Sequence, residues 1–308
     1  MSRIVFMGTP KFSADILKGL LDAGFNIVAA VCQPDKEVGR KHELKACEVK
    51  QECIDLGIEV FSPARIREDY VDVLALEPDL IIASAYGQII PKQLLDYPKY
   101  GCINTHASLL PRYRGSSPIQ TAIMNGDKVT GMTLMYMNEK MDEGDIIAQR
   151  ELEIDIKDTN ATLFDKMSKL ALEMLIEYIP KIFEGDMMRT PQDNDEATYA
   201  KKLDKDIEHI FFDDEVLNVY NHIRGLLDNP GCYFVMNGRK YKIEKAFYEE
   251  DEDVNKCTFK GLEKDYLRLD CRNGFIKVYQ IRPEGKNSMD AKSFHNGAGR
   301  NLEGAGLE

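Results

Sequence analysis

The chain opens on an unbroken apolar run, Ile4-Val5-Phe6-Met7, closed by Gly8. From Phe12 to Gly24 the rhythm changes, and Ile16, Leu17, Leu20 and Leu21 recur at the spacing of one helical face. Asn26 to Cys32 is again apolar almost throughout. Leu44 to Gly57 reads as a helix closed by glycine, Glu59–Phe61 as a short strand, Ile66–Leu76 as a helix and Leu80–Ser84 as a strong strand. Strands that are apolar at every position are buried on both faces. Their alternation with helices predicts a mainly parallel sheet covered on two sides.

The same alternation continues through a strand at Gly101–His106, a helix at Pro118–Asn125 and a strand at Thr130–Met137. Ile146–Ile154 is predicted to run antiparallel, because its connection is too short for a crossover helix. Thr162–Phe183 is a long amphipathic helix. Gly185–Lys205 is polar, contains Pro191, and reads as a linker. Beyond it, a helix at Glu215–Leu227 precedes short strands near 233–235, 241–247, 257–259, 266–270 and 274–281. Closely spaced short strands of this kind predict a small β-barrel. The expected organisation is therefore a domain over 1–185, a linker over 186–205 and a barrel domain over 206–308. The Gly-rich stretch from Asn296 onward is expected to be a mobile tail.

Composition narrows the class. The 308 residues suffice for one large or two ordinary domains, and 44% hydrophobic with 30% charged residues describes a soluble globular protein. No apolar run approaches the roughly 18 residues of a membrane span. The first residues enter a strand directly, without a secretory layout, so a cytoplasmic protein with no membrane contact is expected. Seven cysteines without a CxxC or a Cys/His cluster read as reduced thiols, with no disulfide frame and no metal site. A net charge of −12 disfavours a general nucleic-acid binder. Local basic groups are still present, Arg40-Lys41 with Lys45 and Arg239-Lys240 with Lys242 and Lys245, and composition alone favours reading each as a solvated face.

Ligand sites in such sheets lie beyond the carboxyl ends of the strands. Gly8-Thr9-Pro10, Tyr86-Gly87-Gln88, Asn104-x-His106 and the loop after Met137 are read as strand ends that converge on one cleft. Asn104 and His106 are two apart, so they share a face of their strand. A carboxylate from Asn138–Asp145, such as Asp142, placed beside His106 would fix its tautomer, and Asn104 would supply an amide donor. That set suits a reaction passing through a tetrahedral oxyanion. No GxSxG is present, which favours direct transfer over a covalent intermediate. At this level the chain is an α/β transferase or hydrolase. His106 as a packed residue, Asp142 as a turn former and 108–115 as an ordinary connector all stay open.

Asn104-x-His106, Ser108-Leu109-Leu110-Pro111-x-Tyr113-Arg114-Gly115 and Met141-Asp142-x-Gly144-Asp145 together resemble the signature of the 10-formyltetrahydrofolate-dependent formyltransferases. Phe6-Met-Gly-Thr-Pro-x-Phe12, Gln33-Pro-Asp-Lys-x-x-Gly-Arg40, Ala197-Thr-Tyr-Ala-x-Lys-Leu203 and Arg282-Pro-Glu-Gly285 extend the resemblance to members that formylate initiator methionyl-tRNA. It covers nearly the whole chain. The resemblance implies a Rossmann-like N-terminal α/β domain and an OB-like C-terminal barrel, with 10-formyltetrahydrofolate as co-substrate, no metal, and a monomer in the cytoplasm. It implies Asn104, His106 and Asp142 as the catalytic trio. Ser108, Leu109, Leu110 and Pro111, with Tyr86, Gln88 and Ile90, would line the folate site, and Arg40 and Lys41 would reach the tRNA acceptor end. Tyr113 stands where many members carry Trp, and acidic residues outnumber basic ones from Asp206 onward. A nucleotide-linked amino sugar or glycinamide ribonucleotide is the alternative acceptor. A hydrolytic relative and a non-catalytic tRNA-binding module are the remaining readings.

Overall fold

In the computed structural model, which describes residues 1–38 and 42–308, the opening apolar run is β1 (Ile4–Gly8), buried at every position. It is followed by α1 (Lys11–Asp22), β2 (Ile27–Val31), a hairpin of β3 (Lys36–Val38) and β4 (Glu43–Lys45), and α2 (Glu48–Leu56). Next come β5 (Val60–Phe61), α3 (Val71–Leu74), β6 (Leu80–Ser84), α4 (Lys92–Leu95), β7 (Cys102–His106) and β8 (Arg114–Gly115). Then follow α5 (Pro118–Met124), β9 (Val129–Tyr136), β10 (Ile146–Glu153), α6 (Asn160–Glu184) and β11 (Tyr199–Ala200). The rest of the chain forms α7 (Val216–Leu226), β12 (Cys232–Met236), β13 (Arg239–Glu250), β14 (Phe259–Glu263), β15 (Tyr266–Cys271), β16 (Gly274–Pro283), β17 (Met289–Asp290) and α8 (Ala291–Gly297).

The chain divides into two compact units. The first comprises residues 1–115, 129–153 and 164–200, and the second 116–128, 154–163 and 201–308. The segment expected as a linker is therefore divided, with residues up to Ala200 belonging to the first unit. The first unit holds a seven-stranded sheet in the order β10-β9-β7-β6-β1-β2-β5. Strands β5, β2, β1, β6 and β7 run parallel, β9 runs antiparallel to β7, and β10, antiparallel to β9, returns to the direction of the parallel strands. Val5, Met7, Ile81 and Ala83 share one core with Ile66, Val73, Leu94 and Cys102. This is the mixed α/β fold with a mainly parallel sheet that the alternation predicts.

In the second unit the antiparallel sheet follows the order β12-β13-β16-β15-β14, with β17 beside β16. Phe212, Ile223, Phe234, Phe259, Ile276 and Phe294 share its core. The path of named strands is open, and β12 and β14 do not pair with each other among the described residues. Residues 305–308 are not a mobile tail. Phe259 donates its N–H to the Ala305 carbonyl at 3.0 Å, Leu307 to Cys257 at 3.2 Å, and Val235 to Glu308 at 3.0 Å. Ala305 and Leu307 also pack on the core, so burial and backbone pairing outweigh the flexibility of the glycines.

Two predicted helices are shorter than expected. Leu44 is 72% exposed and belongs to the β3–β4 hairpin, so the helical pattern starts only at Glu48. Residues 64–69 form turns, with the Ile66 N–H donating to the Gln88 side chain at 2.9 Å. All seven cysteines are free. Among the described residues, no helix is long and apolar enough to cross a membrane.

Candidate active site

Strand β7 sets the site. The strand alternation places Asn104 and His106 on one face, and register pairs Asn104 with Ala83 of β6 and with Met135 of β9. The Asn104 side chain is partly exposed and makes no hydrogen bond among the described residues. His106 is 5% exposed, and its Nε2 donates to the Tyr113 carbonyl at 2.9 Å. A carbonyl only accepts, so Nε2 carries a hydrogen and Nδ1 is left to exchange a proton. Nδ1 faces the Asp142 carboxylate, 3.7 Å from Oδ1.

Asp142 does not reach His106 from the carboxyl ends of the parallel strands. Antiparallel β9 ends at Tyr136 opposite Ile103, three residues or about 10 Å before His106. The loop after β9 therefore folds back along β7. A Cβ on Gly144 would overlap the Tyr136 carbonyl, so glycine permits that close return. Asp142 itself has φ +56°, in the left-handed region that Asp and Asn adopt more readily than most side chains.

Three contacts hold this loop. The Gly115 N–H donates to Asp142 Oδ2 at 2.8 Å. Gln192 donates through Nε2 to the carbonyls of Asp142 at 2.9 Å and Gly144 at 2.8 Å. Its Oε1 accepts from Nε and Nη2 of Arg114 at 3.1 and 2.8 Å. Arg114 is almost fully buried and also donates to Asn194 Oδ1 at 2.9 Å, with Glu143 3.7 Å from Nη1. Gln192 and Asn194 come from the segment that reads as a linker. An isolated polar residue without periodicity carries no signal for this role.

The loop after His106 is pinned as firmly. Thr133, opposite His106 in the β7–β9 register, donates to the Ser108 carbonyl at 2.6 Å and accepts from the Leu110 N–H at 3.1 Å. Gln149 donates to the Leu110 carbonyl at 2.8 Å, and Ser108 Oγ donates to the Arg112 carbonyl at 2.6 Å. Ser108 and Leu110 are buried, whereas Leu109 and Pro111 are partly exposed. Leu109 lies over Gly131, where any Cβ would strike it. Thr133 and Gln149 were not legible as site residues, since their alternation in strands suits ordinary sheet positions equally well.

Residues 86–90 leave β6, the neighbour of β7. The Tyr86 carbonyl accepts from Thr9 Oγ1 at 2.9 Å, tying the first strand's turn to this segment. The Tyr86 hydroxyl is buried without a hydrogen-bond partner among the described residues. Burial, with the Cys32 thiol second, pushes its pKa up, so it stays a neutral phenol. Gln88 accepts from Ile66 N–H and donates to the Pro63 carbonyl at 3.2 Å, while Ile90 is buried in the core beside Tyr86. Ile89 is exposed and, with Gln88, Arg65, Arg67 and Glu68, lines a cleft of about 420 Å³. Arg40 and Lys41 lie outside the described residues. Among the described residues no group of three His, Cys, Asp or Glu side chains is placed to hold a metal ion.

Residues 2–179 match the family described as formyl transferase, and residues 202–299 match the formyl transferase C-terminal domain. A methionyl-tRNA formyltransferase of Macrococcus caseolyticus is 43% identical, over 99% of this chain and 98% of its own length. One of Geobacillus sp. is 44% identical, over 98% and 96%. Among solved structures, an N-formyltransferase from Helicobacter canadensis superposes with a TM-score of 0.69 at 21% identity, covering 90% of this chain and 99% of that one. The sugar 3N-formyl transferase WlaRD gives 0.68 at 22% identity, covering 93% and 99%. These two likenesses concern the fold. Two family matches spanning both units, with relatives of this identity along the full chain, leave one assignment: the chain belongs to the formyl transferase family, among the methionyl-tRNA formyltransferases.

Proposed function

We propose that this enzyme transfers the formyl group of 10-formyltetrahydrofolate to the amino group of methionine on initiator methionyl-tRNA, in support of translation initiation in the cytoplasm. The observation that carries the chemistry is the cluster at the end of β7: His106 Nδ1 facing Asp142 of the loop after β9 at 3.7 Å, on the strand face it shares with Asn104, whose amide has no hydrogen-bond partner among the described residues. Full-length relatives named methionyl-tRNA formyltransferase support the choice of acceptor.

In this reading the methionyl amine attacks the formyl carbon, and the carbonyl oxygen takes up negative charge. Asn104 donates its amide hydrogen to that oxyanion. A preorganised donor of this kind is worth about 10²–10³ in rate. The proton shed by the amine passes through the His106–Asp142 pair to the departing folate nitrogen. Nε2 is held by Tyr113, so the exchange falls to the Nδ1 side of the ring. A separation of 3.7 Å is long for a hydrogen bond, and such contacts tighten when substrates bind.

The donor would lie along Ser108–Pro111 and the 86–90 segment. The partly exposed Leu109 and Pro111 support a ligand with an apolar ring. No metal is needed for these steps. The second unit is read as an OB-like tRNA-binding module, supported by residues 305–308, which hydrogen-bond to residues of both β12 and the β14 edge. Lys240 lies 4.1 Å over the Tyr233 ring, and His209 stacks on that ring at 5.0 Å beside exposed Phe211. Aromatic faces with adjacent cations suit bases and phosphates in a unit of net acidic composition. Arg40 and Lys41 would complete the contact at the acceptor end.

The test offers purified protein and 10-formyltetrahydrofolate two acceptors, methionyl-tRNA and a nucleotide-linked amino sugar, and identifies products by mass. Formyl-methionyl-tRNA is expected. Formylation of the amino sugar alone would overturn the acceptor assignment.

A further inference from the structure

We propose that Gln192 is a positioning residue for the Asp142 carboxylate. It fixes the 142–144 turn so that the acid faces His106, and the inference rests on the roles given to His106 and Asp142 above.

Every polar end of the Gln192 side chain is used between two elements. Nε2 donates to the carbonyls of Asp142 and Gly144, and Oε1 accepts twice from Arg114. Arg114 is 1% exposed and precedes Gly115, whose N–H holds Asp142 Oδ2 at 2.8 Å. Gln192 thus ties the backbone of the acid to the same short strand, β8, that ties its carboxylate. The turn needs such a tie. Asp142 sits at φ +56°, and an aspartate released from that conformation has better alternatives in the extended and right-handed regions. A small displacement would carry Oδ1 away from Nδ1, from which it already stands 3.7 Å away.

Gln192→Glu separates the two halves of the contact. It keeps an acceptor for Arg114 and removes both donors to the turn. Gln192→Met, similar in length and without either function, is the second variant should the first fail to fold, as judged by circular dichroism and Tm. In the folded variant kcat for formyl transfer should fall about 10–100-fold, since small misplacements near a reacting pair cost up to about 10²-fold. KM for the donor should change far less. The same substitution made on Asp142→Asn should add almost nothing, because both changes disable one unit. A purely structural glutamine would give losses that multiply.

Parent-like kcat in the folded Gln192 variant, alongside an impaired Asp142→Asn, overturns this inference and leaves the role of Asp142 standing. Losses that multiply in the double variant overturn it as well. Parent-like kcat in Asp142→Asn overturns both readings.

Discussion

His106 donates through Nε2 to the backbone carbonyl of Tyr113 at 2.9 Å. The contact joins the end of β7 to the loop that follows it, and it decides which ring nitrogen is free. An imidazole with one nitrogen committed to a carbonyl presents a single exchangeable position, and here that position looks at Asp142.

Asp142→Asn keeps an oxygen for the Gly115 N–H and removes the charge facing Nδ1. Turnover should fall about 10²–10⁴-fold, the usual worth of a positioned acid–base pair. Steady-state kcat with methionyl-tRNA checks it, and an undiminished value would detach the carboxylate from the chemistry.

Leu109→Glu places a charge on the partly exposed apolar contact over Gly131. The apparent KM for the formyl donor should rise about tenfold, equivalent to ~1.4 kcal/mol, with a smaller change for tRNA. Equal rises for both substrates would count against a folate-specific role of the 108–111 loop.

Arg40→Ala should weaken use of methionyl-tRNA and leave donor KM unchanged. A cation on a phosphate adds about 0.9 to the salt slope for a duplex, so the slope should drop by about that amount, with tRNA taken as comparable. Binding measured across a salt series reads this directly. An unaltered slope with parent-like formylation would remove Arg40 from the tRNA contact.

The second unit carries a pH-sensitive residue. His222 is half-buried, and desolvation lowers its pKa from the usual 6.5 in spite of its hydrogen bond to the Ile207 carbonyl at 2.8 Å. The folded state therefore binds fewer protons than the unfolded chain, and stability falls as pH drops through 6.5. Melting between about pH 7.5 and 5.5 should show a smaller loss of Tm in His222→Gln than in the parent. Parallel losses would assign the pH dependence to other groups.

What could be read from the sequence follows from how local each signal is. β1 and β6 stand out because uninterrupted apolar runs bounded by glycine or polar residues have few alternatives to a buried strand. Leu44 misled the same reasoning: an exposed leucine in a hairpin looks, in sequence, like the first turn of α2. In the site, the period of two puts Asn104 and His106 on one face without further information. The strand-end argument brings Asp142 beside His106, where it lies, but by another route: β9 runs antiparallel and ends opposite Ile103, and the loop after it folds back. Gln192 was beyond reach, since its partner Arg114 is 78 residues away and neither position belongs to a periodic pattern.

The most direct measurement is single-turnover formylation of methionyl-tRNA at saturating 10-formyltetrahydrofolate, for the parent and for His106→Ala. The account predicts formyl-methionyl-tRNA from the parent and a rate lower by about 10²–10⁴-fold in the variant, with the fold retained. A His106→Ala protein that forms the same product at close to the parent rate would contradict it.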